Sequence, residues 1–412
     1  MELDHLIHVV ARNAFILIDI VWWLIALRLA KKAVWRTLIS LFMAGQLCAA
    51  VLVAANVDLS LYIPTPALVA AVVWHFFGMA ALVCLGIFFA GFRVMRRCRQ
   101  RPGSVEAPPS AAPDSTPGGP TPETAPVAAD HSLSRRNFIG ACAALVPPLC
   151  TFSITGIAMA RLDQFRLRRF TLSLPSLPKP LDGLTIAHVS DIHVGEWTHG
   201  PVLKKIVNRT NALGADLVVV TGDLINYELS DLSESIALLK KMHGRYGLYM
   251  VEGNHDLIQN GPEFEQRVKE SGLALLLDES ATCEVRGYPV QFFGLRWMDS
   301  VGTRHDWVTS WQVRRLVKYR QPDAFPILLA HHPHAFDPAI ENGLPLTLTG
   351  HTHGGQFMLD RNIGVGPMLF RYWSGFYQRN QSQLIVSNGV GNMFPVRINA
   401  PAELVHITLR CA

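Results

Sequence analysis

Two stretches of the chain, Thr37 to Val57 and Pro66 to Phe92, contain no Asp, Glu, Lys or Arg. About 20 apolar helical residues cross the ~30 Å hydrocarbon core of a bilayer, and both stretches are long enough. Inside that core every backbone group must be satisfied within the chain, which confines such a stretch to helix. Two further apolar runs accompany them: Ala14 to Leu27, which contains Asp19, and Asn137 to Ala160, uncharged but interrupted by Pro147 and Pro148. Only 17% of the 412 residues are charged, below the roughly 25% of soluble domains. At about 100–200 residues per domain, the length allows two or three domains.

Charge is divided between the two parts of the chain. Residues 1–169 carry 16 Lys or Arg against 9 Asp or Glu, and residues 170–412 carry 21 against 23. The basic excess thus lies beside the apolar runs, where it sets topology, and the folded part lacks the basic surface of a nucleic-acid binder. Arg28, Lys31, Lys32 and Arg36 fill the first loop, and Arg93, Arg96, Arg97, Arg99 and Arg101 follow the third run. The intervening loop has Asp58 and no Lys or Arg. The positive-inside rule makes the two basic loops cytoplasmic and puts the N-terminus, with Glu2 and Asp4, outside.

The expected organisation is a membrane region with three transmembrane helices over 1–97 and a Pro/Ala/Ser-rich linker over 98–133. A motif with a fourth apolar helix follows over 134–165, then a more polar folded domain over 170–412. Ser134-Arg135-Arg136-Asn137-Phe138-Ile139 resembles the twin-arginine export motif, used for domains that fold before crossing, so export machinery is an expected partner. The C-terminal domain would then face the extracytoplasmic side of the cell inner membrane. Arg161, Arg166, Arg168 and Arg169 run against the positive-inside trend there. Ala158-Met159-Ala160 looks like a signal-peptidase site, and retention is preferred to cleavage. Asp19 and His75 are the polar residues inside the apolar runs; interhelical hydrogen bonding accounts for them as well as a function does, and no transport role is assigned. The seven cysteines form no CxxC pair, against a zinc ribbon or redox motif. A Cys283–Cys411 disulfide stays open.

From residue 184 the pattern becomes short apolar strands, each ending in Asp, His, Asn and Gly. Leu184 to Val189 leads into Ser190-Asp191-Ile192-His193, Leu217 to Val220 into Thr221-Gly222-Asp223, and Leu248 to Val251 into Glu252-Gly253-Asn254-His255-Asp256. Ile327 to Leu329 leads into Ala330-His331-His332-Pro333, and Leu344 to Leu348 into Thr349-Gly350-His351-Thr352-His353-Gly354-Gly355. Segments of helical periodicity, Val202 to Leu213, Leu232 to Met242 and Trp307 to Tyr319, intervene, so the domain is α/β. Sites in such domains form at the carboxyl ends of strands, where all five clusters fall. Carboxylate and amide oxygens mixed with imidazoles suit Mn, Fe, Zn or Ni rather than calcium. Asp223, with two oxygens, could bridge two ions. The sequence has no Walker A loop, HExxH, GxSxG or GxGxxG.

In order, these blocks read D-x-H, G-D, G-N-H-D, H and G-H-x-H, and over roughly residues 180–412 they resemble the calcineurin-like metallophosphoesterases. Leu174-Pro175-Ser176-Leu177-Pro178, Gly354-Gly355-Gln356 and Asn388-Gly389-Val390-Gly391 to Pro401 resemble its membrane-associated subgroup, the twin-arginine-exported enzymes and the transmembrane protein with metallophosphoesterase domain. The resemblance implies a four-layer sandwich, two mixed β-sheets flanked by helices, behind the helical membrane region. It implies two divalent ions, one held by Asp191, His193, Asp223 and His353, the other by Asp223, Asn254, His331 and His351. The family pattern favours His331 over His332. His255 would stabilise the transition state or protonate the leaving oxygen, with Asp256 orienting it. The implied activity is hydrolysis of phosphomono- or diesters, lipid-linked or cell-envelope phosphates among them, by in-line attack of a metal-bridged hydroxide. Two alternatives stand beside it: a UDP-2,3-diacylglucosamine pyrophosphate hydrolase and a non-catalytic membrane sensor of phosphorylated ligands. Tyr372, Trp373 and Tyr377 read as core or pocket aromatics, and Arg397 as a second phosphate grip or a surface ion-pair partner.

Overall fold

The structure is a computed structural model, described for residues 2–54, 63–78, 135–298 and 306–412, with isolated positions at 82, 86, 91 and 95. It divides into two compact units, Met1–Gly156 and Ile157–Ala412.

In the first unit the helices Glu2–Leu29, Ala33–Ala54 and Thr65–Val73 are followed by a π-helical turn, Trp74–Gly78. Trp22, Ala26, Ile39, Met43, Trp74 and Ala144 form its buried cluster. Asp19 is fully buried and accepts hydrogen bonds from Trp74 Nε1 (2.7 Å) and His75 Nε2 (3.1 Å). The apolar runs therefore satisfy their one carboxylate across helices, which offsets the cost of burying it. Among the described residues two helices are long and apolar enough to cross a membrane, Ala33–Leu52 and Gly140–Arg161. Much of the expected third span after Gly78, the linker and Ser134 lie outside the described residues. Pro147 and Pro148 are accommodated inside the helix Arg135–Arg161, where Thr151 Oγ1 donates to the Pro147 carbonyl at 3.0 Å.

The second unit holds fourteen strands in the described residues. In chain order they are β1 Arg166–Leu174, β2 Thr185–Val189, β3 Leu217–Thr221, β4 Leu248–Val251, β5 Ala274–Leu275, β6 Glu279–Val285 and β7 Tyr288–Gly294. Then come β8 Phe325–Leu329, β9 Leu346–Thr349, β10 Met358–Asp360, β11 Ile363–Gly364, β12 Gly375–Arg379, β13 Ser382–Val386 and β14 Glu403–Cys411. One six-stranded sheet runs β1-β14-β2-β3-β4-β5, the other β12-β13-β9-β8-β7-β6. Each mixes parallel and antiparallel pairs: β2, β3 and β4 are parallel, while β14 is antiparallel to β2.

Successive side chains of a strand point to opposite faces, and that alternation builds the layers. Leu217 and Val219 of β3, Phe292 of β7, Ile327 of β8 and Ile385 of β13 fill one core shared by both sheets. Val220 and Met250 face instead the helices Pro201–Asn211, Leu232–Leu239 and Gly261–Glu270 through Ile206, Leu239 and Phe264. Phe293 and Leu328 face the helices Asp306–Leu316 and Phe336–Glu341. Both faces of the central strands are apolar, hence their unbroken Val/Leu/Ile runs. Each fully buried Leu or Phe contributes about 1.5–3 kcal/mol. Two mixed sheets flanked by helices are the expected sandwich. β1 begins at Arg166, four residues before the anticipated start of the domain, and pairs in parallel with β14 along its whole length, Arg166 opposite Glu403 and Leu174 opposite Cys411. Cys283 and Cys411 are free thiols.

Candidate metal centre

The five clusters converge at the carboxyl ends of β2, β3, β4, β8 and β9. Asp191, His193, Asp223, His351 and His353 all have positive φ, between 48° and 72°. L-residues adopt this left-handed region only under constraint from their surroundings. It breaks the strand alternation, so Ile192 turns back into the core, fully buried, while Asp191 and His193 on either side of it share one site. Backbone bonds hold the turn, with Asp191 N–H donating to Gly222 O and His193 N–H to Asp223 O, both at 3.0 Å. Gly222, at φ 86°, has a steric reason as well: a β-carbon there would stand 2.5 Å from His331 Nδ1.

Two groups of ligand atoms result. Asp191, His193, Asp223 and His353 have one ligand atom each within 4.8 Å of the others, and so do Asp223, His331 and His351. Asp223 belongs to both. His193 Nε2 lies 3.0 Å from His353 Nε2 and 3.5 Å from an Asp223 oxygen. His331 Nε2 lies 3.1 Å from Asp223 and 3.2 Å from His351 Nδ1. The other ring nitrogen of His331 donates to the Thr221 carbonyl at 2.6 Å, which fixes the tautomer and turns Nε2 to the group. His332 lies outside both groups; its Nδ1 accepts from His334 N–H at 3.1 Å and caps the turn Pro333–Ala335.

The donor set fits divalent metal ions. Asn254 Oδ1 is buried without a hydrogen-bond partner, a costly state for an amide oxygen unless a cation takes it. Electrostatics agree. Burial opposes charge on Asp223, yet His331, His193 and His255 outweigh it and hold the carboxyl well below its usual range. Burial pushes His193 and His353 well below the ordinary imidazole value, and His351 down to about 3. These rings are therefore neutral, the form that binds a metal. Burial also acts against the charge of His331, but Asp223 overrides it and raises it to about 9. A cation in this group would displace that proton.

His255 lies beside the groups. Its N–H donates to Asp223 Oδ1 at 2.8 Å, and its Nδ1 donates to the Asn226 carbonyl at 2.7 Å, leaving Nε2 for chemistry. Asp256 makes no direct bond to the ring, contrary to expectation. Its carboxylate accepts from the N–H groups of Leu224 (2.7 Å), Ile225 (3.0 Å) and Gly253 (2.9 Å). It thus fixes the segment that carries the Asn226 carbonyl, the acceptor of His255 Nδ1. Arg397 turns inward rather than pairing on the surface: its guanidinium donates to His353 Nδ1 (2.8 Å), the Asn388 carbonyl (2.7 Å) and the Asn392 amide (2.9 Å). Burial lowers its pKa to about 10.

Some neighbours carried no sequence signal. Ser190 Oγ donates to Asp191 at 2.5 Å. Tyr227 packs on the His255 ring with centroids 5.1 Å apart, and Trp297 packs on His351 at 5.2 Å. Tyr372 joins Phe336, Leu384 and Val386 in a satellite core, while Trp373 and Tyr377 line a cavity.

Residues 184–355 match the family model described as calcineurin-like phosphoesterase. The chain carries a calcineurin-like metallophosphoesterase domain. The transmembrane protein with metallophosphoesterase domain of Danio rerio is 28% identical over 252 residues, covering 58% of this chain and 56% of the relative. The counterpart in Bos taurus is 27% identical, covering 57% and 55%. The chain therefore spans little more than half the length of these relatives. The uncharacterized metallophosphoesterase YkuE of Bacillus subtilis is 27% identical over 292 residues, 68% of this chain and 98% of its own. A solved archaeal phosphodiesterase covers 50% of this chain and 84% of its own at 14% identity, with a TM-score of 0.28.

Proposed function

We propose that the chain is a membrane-anchored, two-ion phosphoesterase whose catalytic domain faces the extracytoplasmic side. The observation that carries this reading is the sharing of Asp223 by two ligand groups, with the unpartnered Asn254 oxygen beside them. Asp191, His193, Asp223 and His353 would hold one ion, and Asp223, Asn254, His331 and His351 the other. Such ions supply Lewis acidity toward a phosphoryl oxygen and an activated water. The protein's own part is orientation and proton handling. Ser190 and the His351 N–H fix the Asp191 carboxylate, and the Thr221 carbonyl fixes His331. His255, held through Nδ1 by Asn226, presents Nε2 to give a proton to the departing oxygen. The two long apolar helices support anchoring, and the resemblance of residues 134–139 to an export motif supports the side.

The test is hydrolysis of p-nitrophenyl phosphate and bis-p-nitrophenyl phosphate by the full chain in nanodiscs with Mn(II). Metal-dependent turnover that is lost in Asp223→Ala and strongly reduced in His255→Ala supports the reading. Stoichiometric binding of phosphorylated ligand without phosphate release, on these esters and on a lipid-phosphate panel, overturns it in favour of a sensor.

A further inference from the structure

A cavity of about 350 Å³ has Gly354, the neighbour of His353, on its wall, but none of the side chains of the metal groups lines it. Arg166, Arg168, Arg361, Trp373, Phe376 and Tyr377 are among its walls, and no carboxylate is. Arg166 and Arg168 stand two apart on β1 and so share a face. Both reach the same buried carboxylate, Glu403: Arg166 at 2.7 Å and Arg168 at 3.3 Å. That is one negative charge against two guanidiniums, and Arg361, exposed, has no carboxylate partner among the described residues. The cavity is therefore cationic, with aromatic walls, which suits a phosphate attached to something apolar.

The segment that supplies Met358, Arg361 and Asn362 to the cavity wall also turns apolar side chains to water. Between Met358 and Phe370 the side chains of Leu359, Ile363, Met368 and Leu369 are 58–81% exposed. Large apolar residues clustered in one short surface segment mark an interaction site. The chain itself says which kind. The helix Gly140–Arg161, long and apolar enough to cross a membrane, ends five residues before Arg166. Five residues reach at most about 18 Å. The connector is also bound to the domain, Asn392 donating to the Leu162 carbonyl (2.8 Å) and Lys205 to the Asp163 carbonyl (2.9 Å).

We propose that the arginine-lined cavity and the segment Met358–Phe370 seat the domain on an anionic bilayer. The phosphate of a glycerophospholipid headgroup enters the cavity, and Leu359, Ile363, Met368 and Leu369 enter the interfacial zone. This rests on the anchoring proposed above, not on catalysis. It also accounts for two of the four arginines after the last apolar run, Arg166 and Arg168, which line the cavity.

The test is lipid retention by the full chain, measured by native mass spectrometry with phosphatidylglycerol and phosphatidylcholine in competition. The wild type retains phosphatidylglycerol preferentially. Arg361→Glu retains it about fivefold less or weaker still, while Lys318→Glu, an equal charge change at a distant exposed position, retains it normally. Leu359→p-benzoylphenylalanine in nanodiscs cross-links to lipid. No headgroup preference in the wild type, or equal retention by both charge variants, overturns the proposal. So does cross-linking of position 359 to protein, which assigns the patch to a partner or a second copy. Displacement of the lipid by inorganic phosphate at equal concentration overturns it in favour of a free-anion site. Release of the wild-type chain from membranes by alkaline carbonate overturns the anchoring, a separate result.

Discussion

Asp223 is the residue through which both ligand groups fail together. Asp223→Asn keeps the shape and the bond from His255 N–H but removes the charge that holds His331 and His193. Bound metal should fall in both groups, read as ions per chain by inductively coupled plasma mass spectrometry. Arg397 positions the segment that carries His353 by donating to the carbonyls of His353, Asn388 and Gly391, so Arg397→Met should lower metal affinity by about 10–100-fold, the usual cost of losing the support behind a ligand. Arg397→Lys, which cannot reach ring and carbonyls together, should recover little of it. Gly253→Ala would put a β-carbon 2.5 Å from the Asp223 nitrogen and should lower metal content with the rest of the fold retained. A metal content unchanged by any one of these would show that the residue does not position the site. The ligands themselves were legible because each motif sits where a strand stops, and strand ends are visible as apolar runs meeting polar clusters. Tyr227, Trp297 and Asn226 were not legible, since an aromatic or amide without a fixed spacing to a motif has no signature. The indirect action of Asp256 was equally hidden, because it runs through backbone groups.

Among the elements, β2 carries a buried histidine outside both ligand groups. His188 is fully buried, its Nε2 bonded to Thr221 Oγ1 at 2.8 Å, and burial lowers it from 6.5 to about 3. The unfolded chain binds this proton and the folded one does not, so the contribution is fully present above pH 6.5 and is lost as pH falls toward 3. His188→Gln should flatten the fall in thermal stability between pH 7 and pH 5, by up to about 1.4 kcal/mol per pH unit; an identical pH slope in the variant would exclude the effect. β14 makes a second prediction. It lies between β1 and β2, and Leu404, Val405, Ile407 and Leu409 are buried on both faces. Deleting residues 403–412 should abolish cooperative unfolding, followed by circular dichroism, rather than trim an edge. The central strands were readable from their unbroken apolar runs. β1 was not: Arg166, Arg168 and Arg169 alternate with Leu167 and Phe170, and without the position of Glu403 they look like loop charges.

The whole molecule couples binding to stability. Ions that bind only the folded state at about one hundred times their dissociation constant add about 2.7 kcal/mol. For a domain of this size that is about 5–10 °C in Tm. Chelation should lower the melting temperature by that amount and Mn(II) should restore it; a Tm indifferent to chelator would argue that the ligand groups hold no ion in solution. An alkaline phosphatase fused behind residue 165 tests the side of the membrane, activity being expected only outside the cytoplasm. The order of events during synthesis follows from β14. The first strand of the domain finds its neighbour only 237 residues later, Arg166 opposite Glu403. While a ribosome still holds that segment, the sheet has a gap where β14 belongs and the arginines of β1 lack Glu403. The domain can close only after β14 has emerged, so any route that carries it across a membrane already folded must wait for that strand.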